Sequence, residues 1–283
     1  AYRGFDVWEI PPNGQGLVAL LALSILREFS FPDHDDPLTV HRQIEAIKMA
    51  FADAHRYVAD PRYAPVPVAE LLSEEYSRSR RALLSSEAKD FQAGEPLPGG
   101  TVYLCTADGE GTMVAYIQSN YMGFGSGVVV PGTGISLQNR GHGFVRTPGH
   151  PNHVAPNKRP YQTIIPGFLT DQQNRPLMSF GVMGGHMQPQ GHAQMVLRMI
   201  DYRQNPQAAS DAPRWIVNAD FSIGLENGFN PQTVESLAGR GHKIAPAEAV
   251  NFAFGGAQLI WRLGADGYVA GSDHRKDGHA VGF

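Results

Sequence analysis

Thr101 follows the run Pro96-Leu-Pro-Gly-Gly100 and opens a β-prone stretch over residues 101–107. A flexible linker that runs into a strand is ordinary, but a threonine at that junction has a specific chemical use. Its hydroxyl is a weak nucleophile at neutral pH. A free α-amine has a pKa of about 7.7–8.0 and can take that hydroxyl's proton. One residue then supplies nucleophile and base, provided the Gly100–Thr101 bond has been cut. Gly99 and Gly100 allow the close backbone approach that attack of the hydroxyl on the Gly100 carbonyl requires. Other reactive types are less informative. His142, His150, His153, His186 and His192 invite a metal reading, yet none stands in a His-Glu-x-x-His or comparable spacing, so no catalytic metal is expected. Residues 123–134 are glycine-rich but lack the strand–loop–helix setting of a phosphate loop. Cys105 is the single cysteine, which excludes an internal disulfide and a cysteine-based cluster. No cofactor is expected.

The elements that must position Thr101 can be read from periodicity. Residues 1–12 read as extended and end in Pro11-Pro12. Residues 13–14 read as a turn, and an apolar helix runs from Gly16 to about Phe29. Asp36 or Thr39 can cap a second helix, whose positions Ile44, Ile47, Phe51, Ala54 and Val58 recur at helical spacing before Asp60-Pro61. Residues 68–84 read as one solvated helix and residues 85–100 as a flexible linker. From residue 101 the character changes. Runs at 101–107 and 112–119 flank Asp108-Gly-Glu-Gly111, a hairpin signature. Residues 121–160 read as ordered loop. Runs at 162–170 and 176–182 read as a second strand pair, and a helix follows Gly184-Gly185 with Met195, Val196, Met199 and Ile200 inward. A short helix starts at residues 205–209, another lies at 231–240, and strands are expected at 215–217, 258–263 and 268–272. Helices followed by strand pairs and more helices give an α+β layered architecture. Residues 1–100 form a mostly helical part ending in the linker, and residues 101–283 a strand-rich part carrying the chemistry.

Charged residues make up 18% of the 283 residues and net charge is −4, an ordinary globular composition with no electrostatic case for nucleic acid. The longest apolar run, residues 17–26, is too short to span a bilayer and contains Ser24, so no membrane partner is expected. The chain opens on Ala1, which reads as a processed form or part of a longer polypeptide.

The ordered series of motifs resembles the γ-glutamyltranspeptidase family of N-terminal-nucleophile hydrolases. Thr101-Val-Tyr-Leu-Cys-Thr-Ala-Asp-Gly109 is similar to the start of that family's small subunit. Phe124-Gly-Ser-Gly127, Pro131-Gly-Thr-Gly-Ile135, Leu137-Gln-Asn139, Asn157-Lys-Arg-Pro160 and Gly184-Gly185 follow in the family's order. Upstream, Pro11-Pro-Asn-Gly-Gln-Gly16 and residues 45–54 resemble the end of the large subunit. The resemblance implies an αββα sandwich, with part of it supplied in family precursors by a long stretch ahead of the matched region. That stretch also carries an Arg for the substrate carboxylate. It implies autoproteolysis at Gly100–Thr101 into a large/small subunit heterodimer, and acyl transfer from a small-molecule amide such as a γ-glutamyl compound. The rival reading is a non-catalytic or truncated relative serving as a binding domain.

Carried over residue by residue, Thr101 would be the nucleophile, Ser119 its supporting hydroxyl, and Gly184 with Gly185 the oxyanion donors. The substrate-side positions depart from the family. Two serines that typically hold the glutamyl carboxylate are Gln162 and Thr163 here. The Asp that typically binds the α-amine is Gly143, with His142 beside it and Arg140 three positions back. Tyr121, next to Asn120, stands where an Asn is usual. The chain looks nearest the glutathione-hydrolase-like branch, close to cephalosporin acylase-like members. Acyl groups without the α-amine are therefore expected to compete well.

Overall fold

A computed structural model describes residues 1–91, 100–245 and 252–283 of the chain. Residues 92–99 of the linker expected at 85–100 lie outside these residues. A five-stranded antiparallel sheet forms the centre, in the order β1 (Phe5–Trp8), β4 (Gly167–Asp171), β5 (Pro176–Met183), β9 (Gly256–Arg262), β10 (Tyr268–Ser272). The extended N-terminal residues thus become its edge strand. On one face lie α1 (Gly16–Leu26), α2 (Pro37–Tyr57) and α5 (Met187–Ile200), packed on one another and, through α5, on β5.

α2 begins where Asp36 accepts the Thr39 N–H at 2.8 Å, a side-chain cap that satisfies an otherwise orphan donor. The five apolar positions expected to face inward are all buried, and so are His41, Glu45, Lys48 and Asp53. α2 is therefore covered on more sides than its apolar spacing alone indicates. α1 ends at Leu26, three residues short of the expected limit. The single helix expected over 68–84 is broken into α3 (Val68–Leu71) and α4 (Glu74–Arg81). Ser73 accepts the Tyr76 N–H at 3.2 Å and starts a new helix.

The opposite face carries a two-stranded ribbon, β2 (Gly100–Ala107) and β3 (Met113–Tyr121). Asp108 Oδ1 accepts the N–H groups of Glu110 and Thr112, which closes the expected hairpin. Burial alternates along the ribbon, so Thr101 and Tyr103 face the sheet while Val102, Leu104, Val114 and Tyr116 face outward. A Cβ at Gly181 would lie 2.5 Å from the Tyr103 ring, so only glycine lets the layers approach this closely. The remaining elements are α6 (Pro206–Asp211), β6 (Trp215–Val217), β7 (Ile223–Leu225), α7 (Pro231–Gly239) and β8 (Ile244–Ala245); the three short strands form their own small sheet. Arg214 pairs with Asp273 at 2.5 Å with both side chains fully buried.

Candidate active site

Thr101 sits at an irregularity. Gly100 pairs with Tyr121 and Thr101 with Ser119, so the register skips Asn120 and places a β-bulge at the Gly100/Thr101 junction. Bulges re-aim side chains and are common beside active sites. Tyr121 has φ +82°, a left-handed conformation that a bulky residue rarely adopts. The Thr101 hydroxyl is buried and donates to Ser119 Oγ at 3.1 Å, and Ser119 Oγ also accepts the Tyr121 N–H at 2.9 Å.

The glycine pair lies toward the same end of the packed layers. Ser179 on β5 donates to the Val114 carbonyl, opposite Thr106, and Gly181 meets Tyr103. Moving along β5 toward Gly184 therefore runs back along β2 toward Thr101. Gly184 has φ +128° and Gly185 φ +61°, which the turn from β5 into α5 requires. The Gly184 carbonyl accepts from Met187 N at 3.0 Å. The Gly185 carbonyl accepts from Gln188 N at 3.2 Å and from Gln15 Nε2 at 2.8 Å. With both carbonyls fixed, neither glycine N–H has an acceptor among the described residues. Two free N–H groups at a helix start are suited to a developing anion.

Arg140, on a single 3-10 turn (Arg140–Gly143), links the two halves. It donates to Thr163 Oγ1 at 3.0 Å and to the Ser119 carbonyl at 3.2 Å. Gln15 Nε2 donates to the Thr163 carbonyl at 2.6 Å as well as to Gly185. A continuous route thus runs from Thr101 through Ser119, Arg140, Thr163 and Gln15 to Gly185. Arg140 is only 7% exposed, and among the described residues no carboxylate pairs with it. Burial pulls its pKa down from the usual guanidinium value. Its guanidinium lies 5.5 Å from the Tyr121 ring centroid.

The other sequence candidates divide. Gln162 spends its carbonyl oxygen on the Thr163 N–H at 3.0 Å, and its backbone bridges to Gly14. Asn120 accepts the Asn139 N–H through its backbone carbonyl at 3.1 Å, which ties the bulge to the segment before Arg140. His142 is exposed and meets Tyr121 ring to ring at 6.1 Å. At Gly143 a Cβ would come within 2.8 Å of the Tyr161 carbonyl, so this backbone excludes the Asp usual there. Gln15 was missed in the sequence. The signal was a long polar residue directly ahead of a helix that is apolar except for Ser24, at an N-cap position where its side chain makes no capping bond.

Among the described residues, His41, Glu45 and His242 bring three potential metal donors together in the core. Their hydrogen bonds already form a directed chain. The His41 Nε2–H donates to the Ser85 carbonyl at 2.9 Å, so its Nδ1 accepts from His242 Nε2 at 2.8 Å. His242 Nδ1 in turn faces Lys48 Nζ at 3.4 Å, and Lys48 pairs with Glu45 at 2.9 Å. A resident ammonium already serves this carboxylate, and the chain anchors residues 85–89 to α2.

The family model for gamma-glutamyltranspeptidase matches residues 1–283. The chain belongs to the gamma-glutamyltranspeptidase family. It is 33% identical over 290 residues to the glutathione hydrolase-like YwrD proenzyme of Bacillus subtilis, covering 100% of this chain and 55% of the relative. It is 36% identical over 283 residues to the oxamate amidohydrolase proenzyme of Klebsiella pneumoniae, covering 98% and 53%. In structure it matches a cephalosporin acylase from Bacillus halodurans with TM-score 0.91 and 52% identity, over 99% of this chain and 51% of that one. The fold is the N-terminal-nucleophile hydrolase type of this family's transpeptidases and acylases, and the chain spans about half the length of the relatives it matches.

Proposed function

We propose that the full-length protein is an amide hydrolase or acyltransferase whose nucleophile is Thr101, released by autoproteolysis of the Gly100–Thr101 bond into two subunits. The observation that carries this is the buried Thr101 hydroxyl on Ser119 at the bulge, joined by one hydrogen-bond route to a glycine pair whose N–H groups have no acceptor among the described residues. In maturation the Thr101 hydroxyl attacks the Gly100 carbonyl and the peptide becomes an ester. Water then cleaves that ester and leaves the Thr101 amine free. In turnover this amine takes the hydroxyl proton as Oγ1 attacks the substrate amide. Gly184 and Gly185 N–H groups hold the oxyanion, the amine leaves with the proton, and water or an acceptor amine resolves the acyl-enzyme.

For the substrate, we propose amides whose acyl part carries an acid. Arg140 is a buried cation without a carboxylate partner among the described residues, and Thr163 beside it offers a hydroxyl. No acidic side chain stands at 143 to pair with a substrate ammonium, so an α-amine would be desolvated without compensation. The Klebsiella relative is named for oxamate, an amide bearing a carboxylate. Denaturing gels of the full-length protein are expected to show two chains, the smaller starting at Thr101, with Thr101→Ala uncut. An active enzyme with an intact Gly100–Thr101 bond would falsify the nucleophile. Glutaryl-p-nitroanilide is expected to match or exceed γ-glutamyl-p-nitroanilide in kcat/KM, and a strong preference for the γ-glutamyl compound would remove the substrate assignment alone.

A further inference from the structure

A buried acid–imidazole pair lies directly behind the strand that ends in the glycine pair. Glu9 follows β1 and His192 lies on α5; Glu9 Oε1 stands 2.5 Å from His192 Nδ1, with side chains 0% and 1% exposed. The other imidazole nitrogen, Nε2, is 3.2 Å from the backbone nitrogen of Val182. A backbone N–H can only donate, so Nε2 must present its lone pair and the ring proton must sit on Nδ1, pointing at Glu9. Hydrogen-bond chemistry alone thus fixes the tautomer, with Glu9 as the acceptor that holds it.

The placement has a topological cause. β4 ends its pairing at Gly167, opposite Phe180, so β5 runs on with no strand beside it on that side among the described residues. The Val182 N–H would be an orphan there, and the imidazole takes the place of the missing strand. Packing leaves the arrangement little slack. A Cβ at Gly191 would lie 2.6 Å from Val182 Cγ1, and one at Gly16 would lie 2.5 Å from Glu9 Cβ. The His192 ring also rests 5.0 Å from the Phe180 ring centroid. Glu9 Oε2 has no hydrogen-bond partner among the described residues, so the carboxylate is held here at a desolvation cost rather than for its own satisfaction.

We propose that Glu9 and His192 are positioning residues that fix the end of β5, and through it the N–H groups of Gly184 and Gly185, for the transition state. The proposal rests on the oxyanion role assigned above to those glycines. A merely space-filling pair would be replaceable by any side chain of similar shape. A positioning pair requires an acceptor at the Nε2 position.

Gln places its carbonyl oxygen about where His carries Nε2, and Leu fills similar space with no acceptor. In the full-length protein, His192→Leu is expected to lower kcat at least tenfold with KM within twofold, and His192→Gln to recover kcat to within threefold of wild type. Glu9→Gln is expected to fall between them. Hydrogen exchange gives a readout independent of turnover. Peptides covering residues 182–185 should exchange at least tenfold faster in His192→Leu and near the wild-type rate in His192→Gln, while residues 256–262 stay unchanged. Equal exchange or equal kcat in the Leu and Gln variants overturns the proposal. A wild-type protein without amidase activity, but with the predicted exchange pattern, would instead sink the oxyanion assignment and leave the hydrogen-bond role of the pair in place.

Discussion

Arg140 concentrates the specificity question in one side chain. Its charge is buried, its donors reach Thr163 and the Ser119 carbonyl, and no acid among the described residues neutralises it. Arg140→Gln should therefore cut kcat/KM for a glutaryl amide by about tenfold to a hundredfold, the worth of a hydrogen bond to a charged group at about 1.5–3 kcal/mol. A neutral acyl amide of the same length should lose much less, because the framework bonds are disturbed equally in both assays. An equal loss for both substrates would reduce Arg140 to a structural link. Two histidines behind the site carry a different prediction. Burial pushes His55 down to about 4 and His186 down to about 3. Unfolded histidine titrates near 6.5, so the unfolded state takes up protons first as pH falls. Their contribution is intact above that value and is lost as pH drops through it toward the folded values. Between pH 7.5 and 5 the two together should cost up to about 4 kcal/mol of stability. Urea midpoints across that range are the check, and the slope should flatten in His186→Phe, which keeps the ring beside Tyr161 without the titration.

At the scale of elements, the turn from β5 into α5 is the most constrained part of the chain. A Cβ at Gly184 would stand 3.1 Å from Gly255 Cα and 3.2 Å from Met187 Cβ, and one at Gly255 would stand 2.1 Å from the Met183 carbonyl oxygen. Gly184→Ala is expected to lower kcat by about a hundredfold to a thousandfold, as when one oxyanion donor is lost. Gly255→Ala, which shares no atom with the chemistry, should do comparable damage by pushing the Met183–Gly184 peptide. Near-normal turnover in both would mean that these N–H groups do not bind the reacting oxygen. Much of this region was legible in the sequence. Apolar spacing located α2 and α5, Asp108 with two glycines located the hairpin, and the motif series picked out Thr101, Ser119 and the glycine pair. What escaped was held by long-range partners. Residues 162–166 read as strand, yet β4 starts only at Gly167 because side chains satisfy the earlier backbone. Gln15 takes the Thr163 carbonyl and Gln188 takes the Ile165 N–H at 3.0 Å. No local pattern announces that two glutamines will replace a strand. Gln15 and Glu9 went unread for the same reason, because the Thr163 carbonyl stands 148 residues from the one and His192 stands 183 residues from the other.

At the scale of the molecule, the helical layer and the central sheet bury a continuous core, while the β2–β3 ribbon is buried on one side only. Val102 is 60% exposed, Leu104 44%, Val114 45% and Tyr116 47%, and Leu104 stands directly across from Tyr116. Among the described residues each ribbon strand also pairs on one side only, which leaves two open edges. This feature governs how the 283-residue chain behaves in bulk solution. A net charge of −4 gives weak long-range repulsion at physiological salt, where the screening length is about 8 Å. Short-range attraction between apolar strips should dominate it, so the osmotic second virial coefficient of this chain is expected to be negative near neutral pH. Replacing Val102 and Tyr116 with glutamate puts charge of the molecule's own sign on the strip and should turn the coefficient positive in static light scattering, without changing the circular dichroism spectrum. A coefficient that stays negative would place the stickiness elsewhere on the surface.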